Sequence, residues 1–242
     1  LHDALPIYIK LNFLKTCSRS FDGIISVNDD LKEWAERALS SGKVIQLNNF
    51  IVPNKAAASG LKLKGDPSDF KIICVANLRP QKDHLNLLSA FESLDIEKIS
   101  LHLVGTDPGT AYSKTVREKI SNSGKSIFYY GSISNVSGLL DQADLGVLSS
   151  RSEGLPLALL EYGFAGLPVV CTDVGQCREV VGGKALLVPP SNAETMAEAI
   201  EYYFDNPERR KKDAHGLQEK IKKEYSKESF QPVLLKFYAD LS

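Results

Sequence analysis

The sequence predicts an α/β fold, a doubly wound parallel sheet of Rossmann-like type, and three observations predict it. From Lys71 onward, short β-branched runs alternate with helical stretches at the spacing of βαβ units. Such alternation implies a parallel sheet covered on both faces, and right-handed crossovers wind it doubly. The 242 residues, net charge −1, 43% hydrophobic and 24% charged, have the balance of an ordinary globular chain. That length holds one large domain, or one domain and a piece of another. The longest apolar run, Gly154 to Cys171, carries Glu161 near its middle and is broken by Pro156 and Pro168. It therefore reads as a buried helix followed by a buried strand, not as a membrane span.

Taken in order, Leu1 to Ile7 fit no element, and a chain that opens on Leu1 reads as a fragment. Phe21–Leu39 is one strand and one helix, and Lys43–Asn49 a second strand. A unit this small cannot bury its own faces and needs a partner. Lys55–Ser68 is a polar linker. Strands follow at Lys71–Ala76, Ile99–Gly105, Ser126–Gly131, Asp144–Ser150, Leu167–Thr172 and Ala185–Pro189. Between them lie helices near His84–Leu94, Tyr112–Asn122, Asn135–Asp141, Leu157–Ala165 and Arg178–Val181. Asn192–Asp205 is a helix with Ser191 as candidate N-cap and Glu194 in its first turn. Pro207–Lys223 is dense in charge, with four cations in the run Arg209 to Lys212. It is either a contact for an anionic membrane surface or a solvated helix face; the interspersed Glu208, Asp213 and Glu219 favour the second.

The near-neutral charge argues against a binder of nucleic-acid phosphates. Cys17, Cys74, Cys171 and Cys177 form no CxxC pair and no zinc pattern, which fits a reduced, cytosolic compartment. Gly124-Lys125-Ser126 imitates the tail of a P-loop, but Lys119 stands where its first glycine is required. No GxGxxG follows the first strand of the sheet, which argues against a dinucleotide cofactor.

In an open parallel sheet, ligands bind outside the carboxyl ends of the strands. There the sequence delivers Asn77, Arg79, Gln81 and Lys82, then Gly105 to Asp107, Gly131 and Ser132, and Ser149 to Glu153. The segment Glu153 to Glu161 is the most informative. Gly154-Leu155-Pro156 turns the chain into a helix with Pro156 at its first position, and the amides of this turn can donate to ligand oxygens. Glu161 has Leu157, Ala158, Phe164 and Ala165 three and four positions away, so no local cation pairs with it. A carboxylate on so apolar a helix needs something to hydrogen-bond to it. A ribose diol would serve, and so would a distant base such as Arg178. Arg79 and Lys82 flank a strand-to-helix turn where a diphosphate could be held and stabilised as a leaving group. His84 reads as a helix-surface histidine.

Glu153 and Glu161 form an E-x7-E pattern, followed by Gly163-Phe164-Ala165-Gly166-Leu167-Pro168-Val169-Val170. Asp173-Val174-Gly175, Arg178-Glu179-Val180-Val181 and Leu186-Leu187-Val188-Pro189-Pro190 come next, with VANLRPQKDH (Val75–His84) upstream. In this combination the chain, over roughly Lys43 to Leu241, resembles the family-4 retaining glycosyltransferases of the GT-B architecture, in their C-terminal, donor-binding half. The resemblance implies that Lys82 and a nearby arginine contact the diphosphate of a nucleotide sugar. It implies that Glu153 contacts donor-sugar hydroxyls, the Gly154 and Leu155 amides approach the sugar, Glu161 binds the ribose, and the loop at Gly131 lies near the base. Catalysis would rest on Glu153 and Lys82, without a metal or other cofactor. Where the family often carries an arginine, this chain has Asn77; Arg79 could supply that charge from two positions later.

The same resemblance divides the chain into a remnant of the acceptor-binding half (1–50), a donor-binding domain (51–228) and a helix crossing back to the first half (229–242). It implies transfer of a sugar to a glycan or lipid-linked acceptor in polysaccharide biosynthesis, in the cytoplasm or peripheral at the inner face of a membrane. Two other readings remain open: a nucleotide-sugar-binding fragment that turns nothing over, and a nucleotide-sugar epimerase.

Overall fold

The computed structural model describes residues 14–39, 42–52 and 60–241. It divides the chain into two compact units: residues up to Phe50 together with those from Glu224 onward, and Ile51–Lys223. The second unit thus ends at Lys223 rather than at 228. The readings for Leu1 to Ile7 and for the first part of the polar linker fall outside the described residues.

In the first unit, strands β1 (Gly23–Ser26) and β2 (Lys43–Gln46) pair in parallel, Gly23 opposite Lys43, with helix α1 (Asp29–Ala38) between them in sequence. Asn28 caps α1, its Oδ1 accepting from the Leu31 N–H at 2.8 Å. The C-terminal helix, Lys227–Ala239, belongs to this unit and covers the small sheet. A Cβ on Gly23 would meet the Phe237 ring at 2.4 Å, so glycine is what lets helix and strand approach. Lys43 Nζ pairs with Asp240 Oδ2 at 2.5 Å, and the Phe50 and Phe230 rings lie 4.2 Å apart.

The second unit is a six-stranded, wholly parallel sheet. Its strands are β3 (Phe70–Val75), β4 (Ile99–Val104), β5 (Ile127–Tyr129), β6 (Leu145–Leu148), β7 (Val169–Thr172) and β8 (Leu186–Val188). They are linked by helices α2 (His84–Ser93), α3 (Ala111–Asn122), α4 (Ser137–Leu140), α5 (Leu157–Ala165) and α6 (Cys177–Val181). Helices α7 (Ala193–Asp205) and α8 (Pro207–Glu224) follow β8. The strand order is β5-β4-β3-β6-β7-β8. The chain works outward from β3 to β5, then returns to lay β6 beside β3, so the winding reverses between those two strands. A ligand crevice belongs at that reversal. Ile72, Ile73, Leu101, Leu103, Leu145, Val147, Val169 and Val170 are completely buried, as a sheet covered on both faces requires.

The β3–β6 ladder pairs Ile72 with Leu145 and Ile73 with Gly146. Beyond it, Tyr162 of α5 takes over. Its hydroxyl accepts from the Val75 N–H at 2.7 Å and donates to the Val147 carbonyl at 3.3 Å. Gly146 makes room, since a Cβ there would stand 2.7 Å from the Tyr162 ring.

Three local expectations are corrected. His84 is not on a helix surface: it is fully buried, because it shares the i, i+3, i+4, i+7 stripe of α2 with Leu87, Leu88 and Phe91. Asn192, not Ser191, caps α7, its side chain accepting from the Thr195 N–H at 3.0 Å. Pro156 precedes the first residue of α5 instead of occupying it.

The apolar run resolves into α5 and β7, and no helix among the described residues is long and apolar enough to cross a membrane. In α8, Arg209 pairs with the buried Asp213 at 2.7 Å, Arg210 lies over the Phe70 ring and Lys211 pairs with Glu208. Those cations are engaged by the domain itself. All four cysteines are free thiols.

Candidate functional site

A cleft of ≈ 390 Å³ opens at the carboxyl ends of β3 and β6. Its walls come from four strand-end segments: Val75 to Asn77 with Lys82, Val104 and Gly105, Ser132, Ile133 and Val136, and Leu148 with Glu153, Leu155 to Ala158 and Glu161. The first turn of α5 forms one wall through Leu155, Pro156, Leu157 and Ala158. No side chain caps this helix, so its leading amides remain available to a ligand in the cleft.

Lys82 ends a short 3-10 turn, Pro80–Lys82, and its ammonium lies 2.7 and 2.8 Å from the two carboxylate oxygens of Glu153. Ser150 Oγ donates to Glu153 Oε1 at 2.5 Å. The Glu153 side chain is only 8% exposed, so the pair is largely shielded from water. The turn carrying Glu153 is clamped from behind by the loop after β7. The Gln176 N–H donates to the Gly154 carbonyl at 3.1 Å, and Gly175, at φ +51°, approaches so closely that a Cβ would stand 2.1 Å from the Glu153 carbonyl.

Glu161 lines the same cleft, and among the described residues its carboxylate makes no ion pair and no hydrogen bond. Burial alone pushes its carboxyl above the ordinary range. The alternative partner, Arg178, is committed elsewhere: both Nε and Nη2 donate to Asp173. Glu161 is thus a half-buried acceptor facing the cleft with nothing to accept from.

Of the residues expected at the site, Lys82, Glu153, Leu155 and Glu161 come together on the cleft wall. Arg79 is exposed at the start of the 3-10 turn and is not part of the wall. Gly154 is not part of the wall either; its carbonyl accepts from the Gln176 N–H behind the turn. Gly131, at φ +71°, accepts from the Gly105 N–H at 2.9 Å, and the residues just after it, Ser132 and Ile133, form the wall. Asn77 lines the cleft with its Oδ1 accepting from the Thr106 N–H at 2.8 Å. Buried His84 has no partner in hydrogen-bonding geometry for either ring nitrogen among the described residues, and burial pushes it down to about 4. Among the described residues no group of three or more His, Cys, Asp and Glu could hold a metal ion.

The family described as Glycosyl transferases group 1 matches residues 62–223, most of the chain and every element of this cleft. The chain belongs to the group 1 glycosyl transferases. It is similar to the putative teichuronic acid biosynthesis glycosyltransferase TuaC of Bacillus subtilis (strain 168), at 31% identity over 82% of this chain and 51% of the relative. It is also similar to the O-antigen biosynthesis glycosyltransferase WbnH of Escherichia coli, at 26% identity over 87% of this chain and 58% of the relative. The chain therefore spans a little over half the length of these relatives. Among solved structures, Anabaena Alr3699/HepE in complex with UDP superposes with a TM-score of 0.83 over 99% of this chain and 70% of that one, at 16% identity. Sucrose-phosphate synthase (tll1590) from Thermosynechococcus elongatus superposes with a TM-score of 0.79 over 100% and 63%, at 20% identity. At those identities the likeness is one of fold, and the Rossmann-like sheet expected from the sequence is the fold this group 1 glycosyl transferase shares with GT-B enzymes.

Four residues support the cleft through contacts that the sequence did not reveal. Tyr162 carried a signal, a tyrosine beside Glu161 on an otherwise apolar helix. Gly175 stood in a quoted motif, but its contact with Glu153 was not visible there. Ser150 was placed at the sheet edge with Ser149 to Glu153, and Asp83 lies within VANLRPQKDH, but neither the Ser150 bond to Glu153 nor the burial of Asp83 behind Lys82 was visible there.

Proposed function

We propose that this group 1 glycosyl transferase chain binds a nucleotide diphosphate sugar in the β3–β6 cleft, as the donor half of a retaining transferase. The observation that carries the reading is Glu161, a half-buried acceptor without a partner among the described residues, in the same cleft as the Lys82–Glu153 pair. A ribose diol supplies two hydroxyl donors to one carboxylate. Lys82 would hold the diphosphate, with added charge from Arg79. Glu153 would accept from hydroxyls of the sugar, and the Gly154 and Leu155 amides would approach that sugar. The loop after Gly131 would meet the base. Lys82 and Glu153 touch, so the sugar–phosphate bond would lie across their junction.

When that bond breaks, its electron pair leaves on the diphosphate, and the Lys82 ammonium and the open end of α5 stabilise the negative charge. The chain's own positive groups are placed for this, and we read the reaction as metal-independent. Departure and attack on one face of the sugar would retain its configuration. TuaC and WbnH, named for teichuronic acid and O-antigen biosynthesis, support an acceptor that is a glycan or a lipid-linked glycan. The parent enzyme would then work in the cytoplasm or at the inner membrane face.

A second reading, donor binding without turnover by this chain alone, is favoured by its span of a little over half its relatives. The E-x7-E pattern with its Gly-Leu-Pro turn, and relatives named as transferases, favour transfer over epimerisation. Calorimetric titration with uridine, guanosine and adenosine diphosphate sugars tests the donor reading. Binding of one base series, with its free nucleoside much weaker, is expected. A folded chain that binds none of them at millimolar concentration refutes it.

A further inference from the structure

Among the described residues, two that are not glycine have a positive φ, Asp83 at 46° and Ser191 at 56°. They touch: Ser191 Oγ donates to Asp83 Oδ2 at 3.1 Å, across 108 residues of sequence. Left-handed backbone is unfavourable for side-chain-bearing residues and persists where the surroundings enforce it. Both strained positions therefore belong to one assembly. Its third member is Arg151, whose Nε and Nη2 donate to Oδ2 and Oδ1 of Asp83 at 2.6 and 3.0 Å. The Asp83 side chain is 1% exposed, whereas the Arg151 side chain is 57% exposed. The loops after β3, β6 and β8 thus converge on one buried carboxylate.

Lys82 is the residue before Asp83, and its backbone is bracketed on every side. Its N–H donates to the Arg79 carbonyl at 2.9 Å, and its carbonyl accepts from Ser149 Oγ at 2.8 Å. The Arg151 N–H donates to the Gln81 carbonyl at 2.8 Å. A carboxylate buried merely to tie loops would need no left-handed backbone. Here that backbone turns the chain between Lys82 and α2, and so determines where the Lys82 side chain departs.

We propose that Asp83 is a positioning residue for the donor diphosphate: the Asp83–Arg151–Ser191 clasp aims the Lys82 ammonium into the cleft. This rests on the reading that Lys82 holds the diphosphate. Asp83→Asn is the suitable perturbation, because asparagine tolerates the left-handed region but lacks the charge that binds Arg151 bidentately.

The test is calorimetry on the full chain with UDP, GDP and ADP and their nucleosides, using wild type, Lys82→Ala, Asp83→Asn and the double variant. Asp83→Asn is expected to weaken diphosphate binding about tenfold, the scale of one lost charge-assisted contact, and to change nucleoside binding by less than about twofold. The double variant is expected to bind no more weakly than Lys82→Ala alone, since the clasp acts through that lysine. Arg151→Lys keeps a cation opposite the buried Asp83 but loses the bidentate fork, so it carries less folding risk than removing the charge and is expected to show a smaller loss of the same selectivity. Equal losses for diphosphate and nucleoside, losses that add to those of Lys82→Ala, or unchanged diphosphate binding in both clasp variants each overturn the proposal. If Lys82→Ala itself loses no diphosphate affinity, it is the donor reading that fails.

Discussion

Replacing Glu161 by glutamine should make the protein more stable and a poorer binder at once. The structure sets both signs. The carboxylate is half-buried and unpartnered among the described residues, and burial alone raises its titration point above the ordinary value of 4.5. An acid titrating higher when folded contributes stability that is complete below the unfolded value and is lost as pH rises through the folded one. At pH 7 the ionised group is therefore a net cost, about 1.4 kcal/mol for each pH unit between the two values. Glutamine keeps the shape and removes the charge, so the melting temperature should rise at pH 7, by about 2–4 °C per kcal/mol recovered. That gain should nearly vanish near pH 4, where the carboxyl is mostly protonated in both states. Binding should move the other way. A carboxylate accepting from both ribose hydroxyls makes two charged hydrogen bonds, each worth about 1.5–3 kcal/mol, and glutamine preserves one acceptor. Losing one bond weakens a nucleoside diphosphate about tenfold to a hundredfold. Thermal unfolding at pH 7 and pH 4, with calorimetry on the ribo- and 2′-deoxyribonucleotide, measures each part. The 2′-deoxy ligand should scarcely distinguish the two proteins. Undiminished ribonucleotide affinity, or a lower melting temperature at pH 7, would refute the reasoning.

Glu153→Gln should strengthen binding of a nucleoside diphosphate several-fold while shrinking the added affinity of its sugar ester, because the carboxylate now competes with phosphate for Lys82; calorimetry with both ligands checks it. Gly175→Ala combines strained left-handed backbone with a Cβ 2.1 Å from the Glu153 carbonyl, and should lower stability by about 1–3 kcal/mol or more and weaken donor binding, read by chemical unfolding and titration. Burial holds His84 and His102 down to about 4 from 6.5, so the unfolded chain binds more protons between those values. Stability from both should be intact above pH 6.5 and fall as pH drops toward 4, by up to about 1.4 kcal/mol per pH unit for each; unfolding curves across that range test it, and His102→Gln should flatten the slope.

The strand positions were legible because strands buried on both faces are continuous apolar runs with no competing period. Helix α5 was legible because Pro156 and Gly166 punctuate it, Gly166 closing it at φ +76°. The odd setting of Glu161 could be read locally as well, since its neighbours three and four positions away on the helix are all apolar. His84 shows how the same reasoning fails. Its polarity outweighed its place on the buried stripe of α2, and only the packed helix shows that the stripe prevails.

What the amino-acid order alone determined was everything governed by short range: the alternation of elements, the parallel winding, the turn that opens α5 and the exposure of polar groups at one sheet edge. What the tertiary structure decided was which distant groups meet. Lys82 reaches Glu153 across 71 positions, and Ser191 reaches Asp83 across 108. Arg178 turns to Asp173, and Glu161 is left without a partner among the described residues. Periodicity and propensity act over a few residues, whereas the partner of a buried charge depends on where the sheet's winding reverses and brings separate loops within hydrogen-bonding distance.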